Sequence, residues 1–324
     1  MAVYTAIDDP EAYFQVKLYS GTGSSQSITL DGSEDMAPNM IWIKERTATS
    51  SHVINDSVRG VQKNIQPNSN AAESGDSTEL TAFNSNGFTY GSDGKGNESG
   101  QTYVAWNWVE SATAGFDIVL YTGNGTDDTD ISHSLSAVPK MILVKRRDGT
   151  DSWLVQHGAL GATKALNLEG NGAVQTYTPY WSDETPTSSV FTLGDDGRLN
   201  GSSETYVAYL WSEKQGFSKF GSFVANSNVD GPFIFCGFKP SLVIGKVATD
   251  TNDWFMFDAK RSTFNPVDDS VYPNTNAAEN TNHIIDFLSN GFKIRDSDGT
   301  VNSTGNTYIY MAFAEAPFVN SNGV

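Results

Sequence analysis

Cysteine is almost absent from this chain: of 324 residues one is a cysteine, Cys236. A single thiol cannot close an intrachain disulfide, so no oxidised scaffold is implied. It lies in the apolar stretch Phe233-Ile234-Phe235-Cys236-Gly237-Phe238, where a free thiol behaves as a small buried hydrophobe. Positive charge is scarce too. Twenty Lys and Arg against 38 Asp and Glu leave a net charge of −18 and a pI near 4.4, which repels phosphate backbones and anionic headgroups. Nucleic acid and membrane surfaces are therefore not expected as partners. Apolar runs reach only about six residues, against the roughly 20 that span a bilayer. The first ten residues hold no Lys or Arg and are broken by Asp8-Asp9-Pro10, so neither the basic nor the apolar region of a signal peptide is present. A soluble product made in a cytoplasm is expected.

Charged residues make up only 18%, and Ser, Thr, Asn and Gly dominate the polar remainder, which favours turns over helix interiors. The chain is organised by an internal triplication. Pro38-Asn39-Met40-Ile41-Trp42-Ile43-Lys44 returns as Pro139-Lys140-Met141-Ile142-Leu143-Val144-Lys145 and as Pro240-Ser241-Leu242-Val243-Ile244-Gly245-Lys246. Tyr103-Val104-Ala105-Trp106-Asn107-Trp108 returns as Tyr206-Val207-Ala208-Tyr209-Leu210-Trp211 and Tyr308-Ile309-Tyr310-Met311-Ala312-Phe313. A third block sets Asp-Gly four residues before Asn at Asp93/Asn97, Asp196/Asn200 and Asp298/Asn302. A weaker fourth aligns Asn70-Ala71-Ala72-Glu73 with Asn276-Ala277-Ala278-Glu279, with Gly172-Ala173-Val174 in the middle copy. A period near 100 residues exceeds that of solenoid or propeller units and matches a domain able to bury its own core.

In the Tyr103 block, Val104, Trp106 and Trp108 alternate with Tyr103, Ala105 and Asn107, the period of a strand with two apolar faces, hence a central one. The Pro-x-Met-Ile block is a β-branched run suited to a buried strand. Asp-Gly at 93, 196 and 298 signals a hairpin turn. The carboxylates there are candidate Ca²⁺ ligands, with Asp296 and Asp298 as the best local pair, but the spacing does not match a calcium loop and a plain turn is the favoured reading. Ala71 to Glu79 makes a short helix at most. The fold expected is all-β: three tandem homologous antiparallel β-sandwich domains at 12–112, 113–214 and 215–318, with an N-terminal arm at 1–11 and a tail at 319–324.

Catalytic chemistry finds little support. The equivalent positions Asp56, His157 and Asp258 change type, as do His52, Trp153 and Trp254, whereas a triplicated site should keep its acid and base. Asp56 and Asp258 persist, but no partner at a fixed offset accompanies them. The histidines His52, His133, His157 and His283 take no metal-ligand spacing, and no GxSxG, P-loop or dinucleotide fingerprint stands in its proper setting. No catalytic residue, metal or cofactor is expected. Aromatics at 12% belong mainly to strand interiors. Trp153 with Trp254, and Tyr180-Trp181 in a polar loop, are the candidates for an exposed binding platform.

Tyr4-Thr5-Ala6-Ile7-Asp8-Asp9-Pro10 followed by Tyr13-Phe14-Gln15, Asp56-Ser57-Val58-Arg59-Gly60, His157 to Lys164, and the tripled Thr-Tyr-Val-Ala-Trp-like strand resemble the repeat domains of tail-fibre-like virion proteins of marine bacteriophages, cyanophages included. The resemblance covers essentially the whole chain. It implies a non-enzymatic virion role in host adhesion or assembly, other virion proteins and a host surface glycan as partners, and a homotrimer. It supplies no binding residues. A head decoration or tail-adaptor protein is the alternative, and a polysaccharide depolymerase a more distant one. No heptads or short β-helical repeats occur, so the chain is a compact piece and not a full fibre.

Overall fold

The computed structural model describes Thr5 and residues 7–316; residues 1–4 and Ala6 of the expected N-terminal arm, residues 317–318 and the expected tail at 319–324 lie outside the described residues. A short 3-10 turn at Pro10–Ala12 leads into the first repeat. It contains β1 (Phe14–Ser20), β2 (Gln26–Ile28), β3 (Met40–Glu45), β4 (Val53–Asp56), β5 (Leu80–Asn84), β6 (Gly87–Tyr90) and β7 (Thr102–Trp108). The second holds β8 (Phe116–Thr122), β9 (Thr129–Ser132), β10 (Pro139–Arg146), β11 (Leu154–His157), β12 (Lys164–Asn167), β13 (Gln175–Thr176), β14 (Val190–Leu193) and β15 (Thr205–Ser212). The third holds β16 (Ser218–Val224), β17 (Phe233–Phe235), β18 (Lys239–Val247), β19 (Phe255–Asp258), β20 (Ser270–Val271), β21 (Ile285–Leu288), β22 (Gly291–Ile294) and β23 (Thr307–Ala316). The fold is all-β and antiparallel.

Each repeat builds a principal sheet in the same order. The sheets run β1-β7-β3-β4, then β8-β15-β10-β11 extended by β12 and β13, then β16-β23-β18-β19-β20. The Tyr103 block and its copies are indeed central strands, flanked on both sides. A smaller sheet faces each: β2-β6-β5, β9-β14 and β17-β22-β21. In the first two repeats strand alternation assigns the two faces of the principal sheet to different cores, while in the third both faces run into one cluster. In the second repeat Ile142, Val144, Tyr206, Ala208 and Leu210 pack with Phe191 and Leu193 of the small sheet, and Ile41, Ile43, Tyr103 and Ala105 do the same in the first. The opposite faces, with Met40, Trp42, Trp106 and Trp108, Met141, Leu143, Tyr209 and Trp211, and Leu242, Ile244, Met311 and Phe313, join one cluster drawn from all three repeats. Trp108, Trp211 and Phe313 mark its centre, Trp108 lying edge-on to both neighbours with ring centroids 6.4 Å and 5.7 Å away.

The connections between repeats are tight turns. Ser111 bridges to Phe116 and Lys214 to Ser218, and Gly115 and Gly216 take φ of 75° and 78°, the left-handed region that favours glycine. A Cβ on Gly115 would meet the Ser212 carbonyl oxygen at 2.6 Å.

The Asp-Gly-x-x-Asn blocks are not hairpin turns. Each forms a single helical turn: α1 (Gly94–Asn97), α2 (Gly197–Asn200) and α3 (Gly299–Asn302), with Asp93, Asp196 and Asp298 as N-caps accepting from the N–H two residues on. The hairpin signal fails because the aspartate side chain is committed to an N-cap. The buried Asn then pins the loop after the first strand: Asn200 donates to the Thr126 and Gly194 carbonyls and accepts from Asn124 N. Asn97 and Asn302 repeat the pattern. Ala71 to Glu79 is not helical; its backbone reaches a neighbouring repeat instead.

Candidate functional site

The residues with the most chemistry lie at the contacts between repeats. Three features recur at each. Asn70, Asn171 and Asn276 each accept, through the backbone carbonyl, an N–H from Asp151, Asn252 and Ser50 respectively. Glu73, Val174 and Glu279 donate their backbone N–H to the carbonyls of Arg147, Ala248 and Arg46. Thus the first repeat meets the second, the second meets the third, and the third returns to the first. Three equivalent heterologous contacts that close after three units reproduce the geometry of a cyclic trimer within one chain.

The positions whose residue types diverge sit across these contacts. His52, Trp153 and Trp254 are interchangeable in space, for each donates a ring N–H to a backbone carbonyl of the preceding repeat in the ring. His52 Nε2 reaches Tyr272 at 3.1 Å, Trp153 Nε1 reaches Gln66 at 3.0 Å and Trp254 Nε1 reaches Asn167 at 3.0 Å. His52 Nδ1 accepts from Trp42 Nε1 at 2.9 Å, which fixes the neutral tautomer with the proton on Nε2. Burial holds its pKa well below the usual histidine value.

Asp56, His157 and Asp258 reach the following repeat. The Tyr209 hydroxyl donates to Asp56 Oδ2 at 2.6 Å, Trp106 Nε1 donates to Asp258 Oδ2 at 3.1 Å, and His157 Nε2 lies 3.1 Å from the Tyr310 carbonyl. The two aspartates do have partners at a fixed offset, contrary to expectation. Arg59 and Arg261, three residues on, each place Nε 2.5 Å from Oδ2, with both side chains of each pair fully buried. Those arginines also reach Glu73 and Glu279 at 3.2 Å, which clasp Arg147 and Arg46 across the contact in paired hydrogen bonds of 2.7 to 3.1 Å. Arg261 additionally lies 5.4 Å from the Trp106 ring centroid, a cation–π geometry.

The second-to-third contact replaces the whole set. His157, Leu160, Val174, Ala248 and Met311 occupy the places of Asp, Arg, Glu, Arg and an aromatic donor. Burial lowers the His157 pKa to about 4, so it stays neutral among these apolar neighbours. The sequence signal was available in Arg59 and Arg261, in the glutamates that end the Asn-Ala-Ala-Glu block, and in their joint loss from the middle copy. Such concerted replacement is what an ion-pair network requires, because a charge left without its partner in the interior is costly.

The expected exposed aromatic platform is corrected by burial: Trp153, Trp254, Tyr180 and Trp181 are all at most 2% exposed. Trp153 and Trp254 are consumed by the contacts just described. Tyr180 donates to Gln175 Oε1 at 2.7 Å and carries the Arg198 guanidinium 4.7 Å from its ring centroid, filling the space between sheets. Asp298 caps α3, and Asp296 accepts from Asp298 N and faces His283 Nδ1 at 3.2 Å. Among the described residues no group of three or more His, Cys, Asp or Glu is arranged to hold a metal ion, and no helix is long and apolar enough to cross a membrane. Burial pushes the Cys236 thiol up to about 12, leaving it unreactive at neutral pH.

Fold and contacts together define an all-β protein of three homologous antiparallel units closed into a ring by equivalent junctions. The chain belongs to the family described as "Domain of unknown function (DUF7483)", which it matches over residues 9–317. No curated protein and no solved structure matches it.

Proposed function

We propose that the chain is a non-catalytic structural protein of a bacteriophage virion, of the tail-fibre or tail-associated class, serving host adhesion or virion assembly. The observation that carries the reading is the closed ring: its chemistry-bearing side chains are spent on holding three repeats together. The histidines at the contacts, the buried aspartates and the tryptophans that bridge repeats all have structural partners. The resemblance to marine phage repeat domains supports the virion assignment, with other virion proteins and a host surface glycan as partners. Immunogold labelling of phage particles with an antibody to the chain tests it. Label on a tail, baseplate or fibre is expected, and particles that lack the protein would overturn the assignment.

The ring also favours a second reading. A chain carrying its own threefold can sit on a local threefold of a head as a single copy, as a decoration protein, without the homotrimer that the fibre resemblance implies. Label confined to the head would select this reading. Either role predicts no turnover, and release of reducing ends from host polysaccharide by the purified protein would contradict both.

A further inference from the structure

The three small sheets present equivalent outer strands with different outer faces. Ile28, Ile131 and Ile234 each pair with a core phenylalanine, Phe88, Phe191 and Phe292, which aligns Ser27-Ile28-Thr29, Asp130-Ile131-Ser132 and Phe233-Ile234-Phe235. The first two strands point polar side chains outward. The third points two phenylalanines, 45% and 59% exposed. Large apolar side chains on an edge strand are what soluble proteins avoid unless something covers them.

β17 ends its sheet, and among the described residues no strand lies beyond it. Its ladder with β22 is made by alternate residues: Ile294 N donates to the Pro232 carbonyl and Cys236 N to the Asn290 carbonyl. In an antiparallel ladder the residues between, Phe233 and Phe235, direct their N–H and C=O groups to the free edge. Both the exposed side chains and the free backbone groups thus belong to the same two residues.

We propose that β17 is the contact by which a second copy of this chain docks, edge to edge and antiparallel about a twofold axis at Ile234. The strand is a palindrome, Phe-Ile-Phe, centred on that residue. Pairing it with itself sets Phe233 opposite Phe235 of the second copy and Phe235 opposite Phe233 of the second copy, each pair exchanging both N–H···O bonds, with the phenylalanines side by side on one face. The charge pattern permits this contact where the rest of a −18 molecule resists it. Beside β17, Lys293 is neutralised by Asp230 at 2.7 Å and Arg295 by Asp286 at 2.9 Å. Gly291, opposite Phe235, adds no side chain. The equivalent edges of the first two repeats carry Ser27 and Thr29, and Asp130 and Ser132, in the places of the two phenylalanines, so neither offers a second apolar edge and the association stops at a dimer. The inference does not depend on the virion assignment.

Light scattering on the full chain from about 1 µM to about 100 µM, the range over which small interfaces dissociate, tests it. The mass is expected to climb from 35.0 kDa towards twice that value. Phe235→Asp and, separately, Phe233→Lys should hold the mass at one chain throughout, with melting unchanged because both side chains point outward, whereas Phe235→Leu should keep the dimer. Amide exchange at Phe233 and Phe235 should slow with concentration in the parent and not in Phe235→Asp. A parent that stays monomeric, one that trimerises, or a charged variant that associates as the parent does would each overturn the proposal.

Discussion

Asp56 and Arg59 are a buried pair whose removal is argued differently from its replacement. Asp56→Asn leaves the Arg59 guanidinium, with its side chain fully buried, facing a neutral group, and weakens the acceptor for Tyr209. Breaking one side of such a pair costs about 3–5 kcal/mol, read as a lowered urea midpoint. The middle copy shows what the site accepts when every charge leaves together. The combined variant Asp56→His, Arg59→Leu, Glu73→Val, Arg147→Ala and Tyr209→Met is therefore expected to recover most of that loss, and a combined variant less stable than Asp56→Asn alone would contradict the argument. A second effect of a single side chain concerns Glu110, whose pKa is pushed up to about 7 by burial and by the neighbouring Asp117 carboxyl. A carboxyl raised in the folded state contributes stability below its unfolded pKa near 4.5 and loses it as pH rises through the folded value. Glu110→Gln should then raise the melting temperature at pH 8 while changing it little at pH 4.

Among the secondary-structure elements, the single-turn helices act as clamps more than as helices, being too short to persist alone. Asn200 satisfies two carbonyls and one N–H that are otherwise shut away from water, and its neighbour Tyr206 ties the helix to the principal sheet by donating to the Gly197 carbonyl and accepting from Gly201 N. Asn200→Ala leaves buried polar groups without partners at about 1–3 kcal/mol each, so it should cost clearly more than Asp196→Ala, which removes a cap worth about 1 kcal/mol. Chemical denaturation of the two variants side by side measures the order. Since these aspartates are occupied by backbone N–H groups, a chelator should leave the melting temperature of the protein unchanged, and a downward shift on adding it would point to a bound cation at these turns.

The whole molecule should unfold as one unit, because the apolar cluster that includes Trp42, Trp108, Trp211 and Phe313 is shared by all three repeats. Residues 113–214 expressed alone would expose Met141, Leu143, Tyr209 and Trp211 on one face, and are expected to aggregate or to bind apolar dyes; a monomeric fragment with a sharp melt would refute the shared-core argument. A further global signature comes from Lys44, Lys145 and Lys246, one per repeat, whose pKa values burial lowers to about 8 while each ammonium donates to two backbone carbonyls. A lysine with a depressed folded pKa favours the folded state above its unfolded value near 10.5 and loses that contribution as pH falls through 8. Stability should thus rise from pH 8 towards 10. Above that it should fall, because burial raises the pKa of Tyr19, Tyr90, Tyr121 and Tyr209, and tyrosines held neutral in the fold oppose unfolding only until the unfolded chain ionises near pH 10. Melting temperatures across pH 7 to 11 check the maximum.

Local pattern was enough to place the repeated core strands and the all-β class. Three copies of each block are local in the chain, and period-2 alternation with apolar residues on both faces specifies a central strand without reference to anything distant. The amino-acid inventory likewise ruled out a disulfide framework and a long apolar span. Where the second apolar face goes, and what the divergent positions do, emerged from the folded chain alone. Asp56 and Tyr209 are 153 residues apart, and Arg46 and Glu279 are 233 apart, separations at which no periodicity links one to the other. Residue type misled for a physical reason. A histidine and a tryptophan present the same N–H to a carbonyl, so His52, Trp153 and Trp254 look unrelated in sequence and do one job in space. Trp153 and Trp254, expected outside, went inside because the ring closes on them: once three sheets share a core, the face that would be surface in a lone sandwich is interior, whereas Tyr180 and Trp181 are taken up by the second repeat's own core.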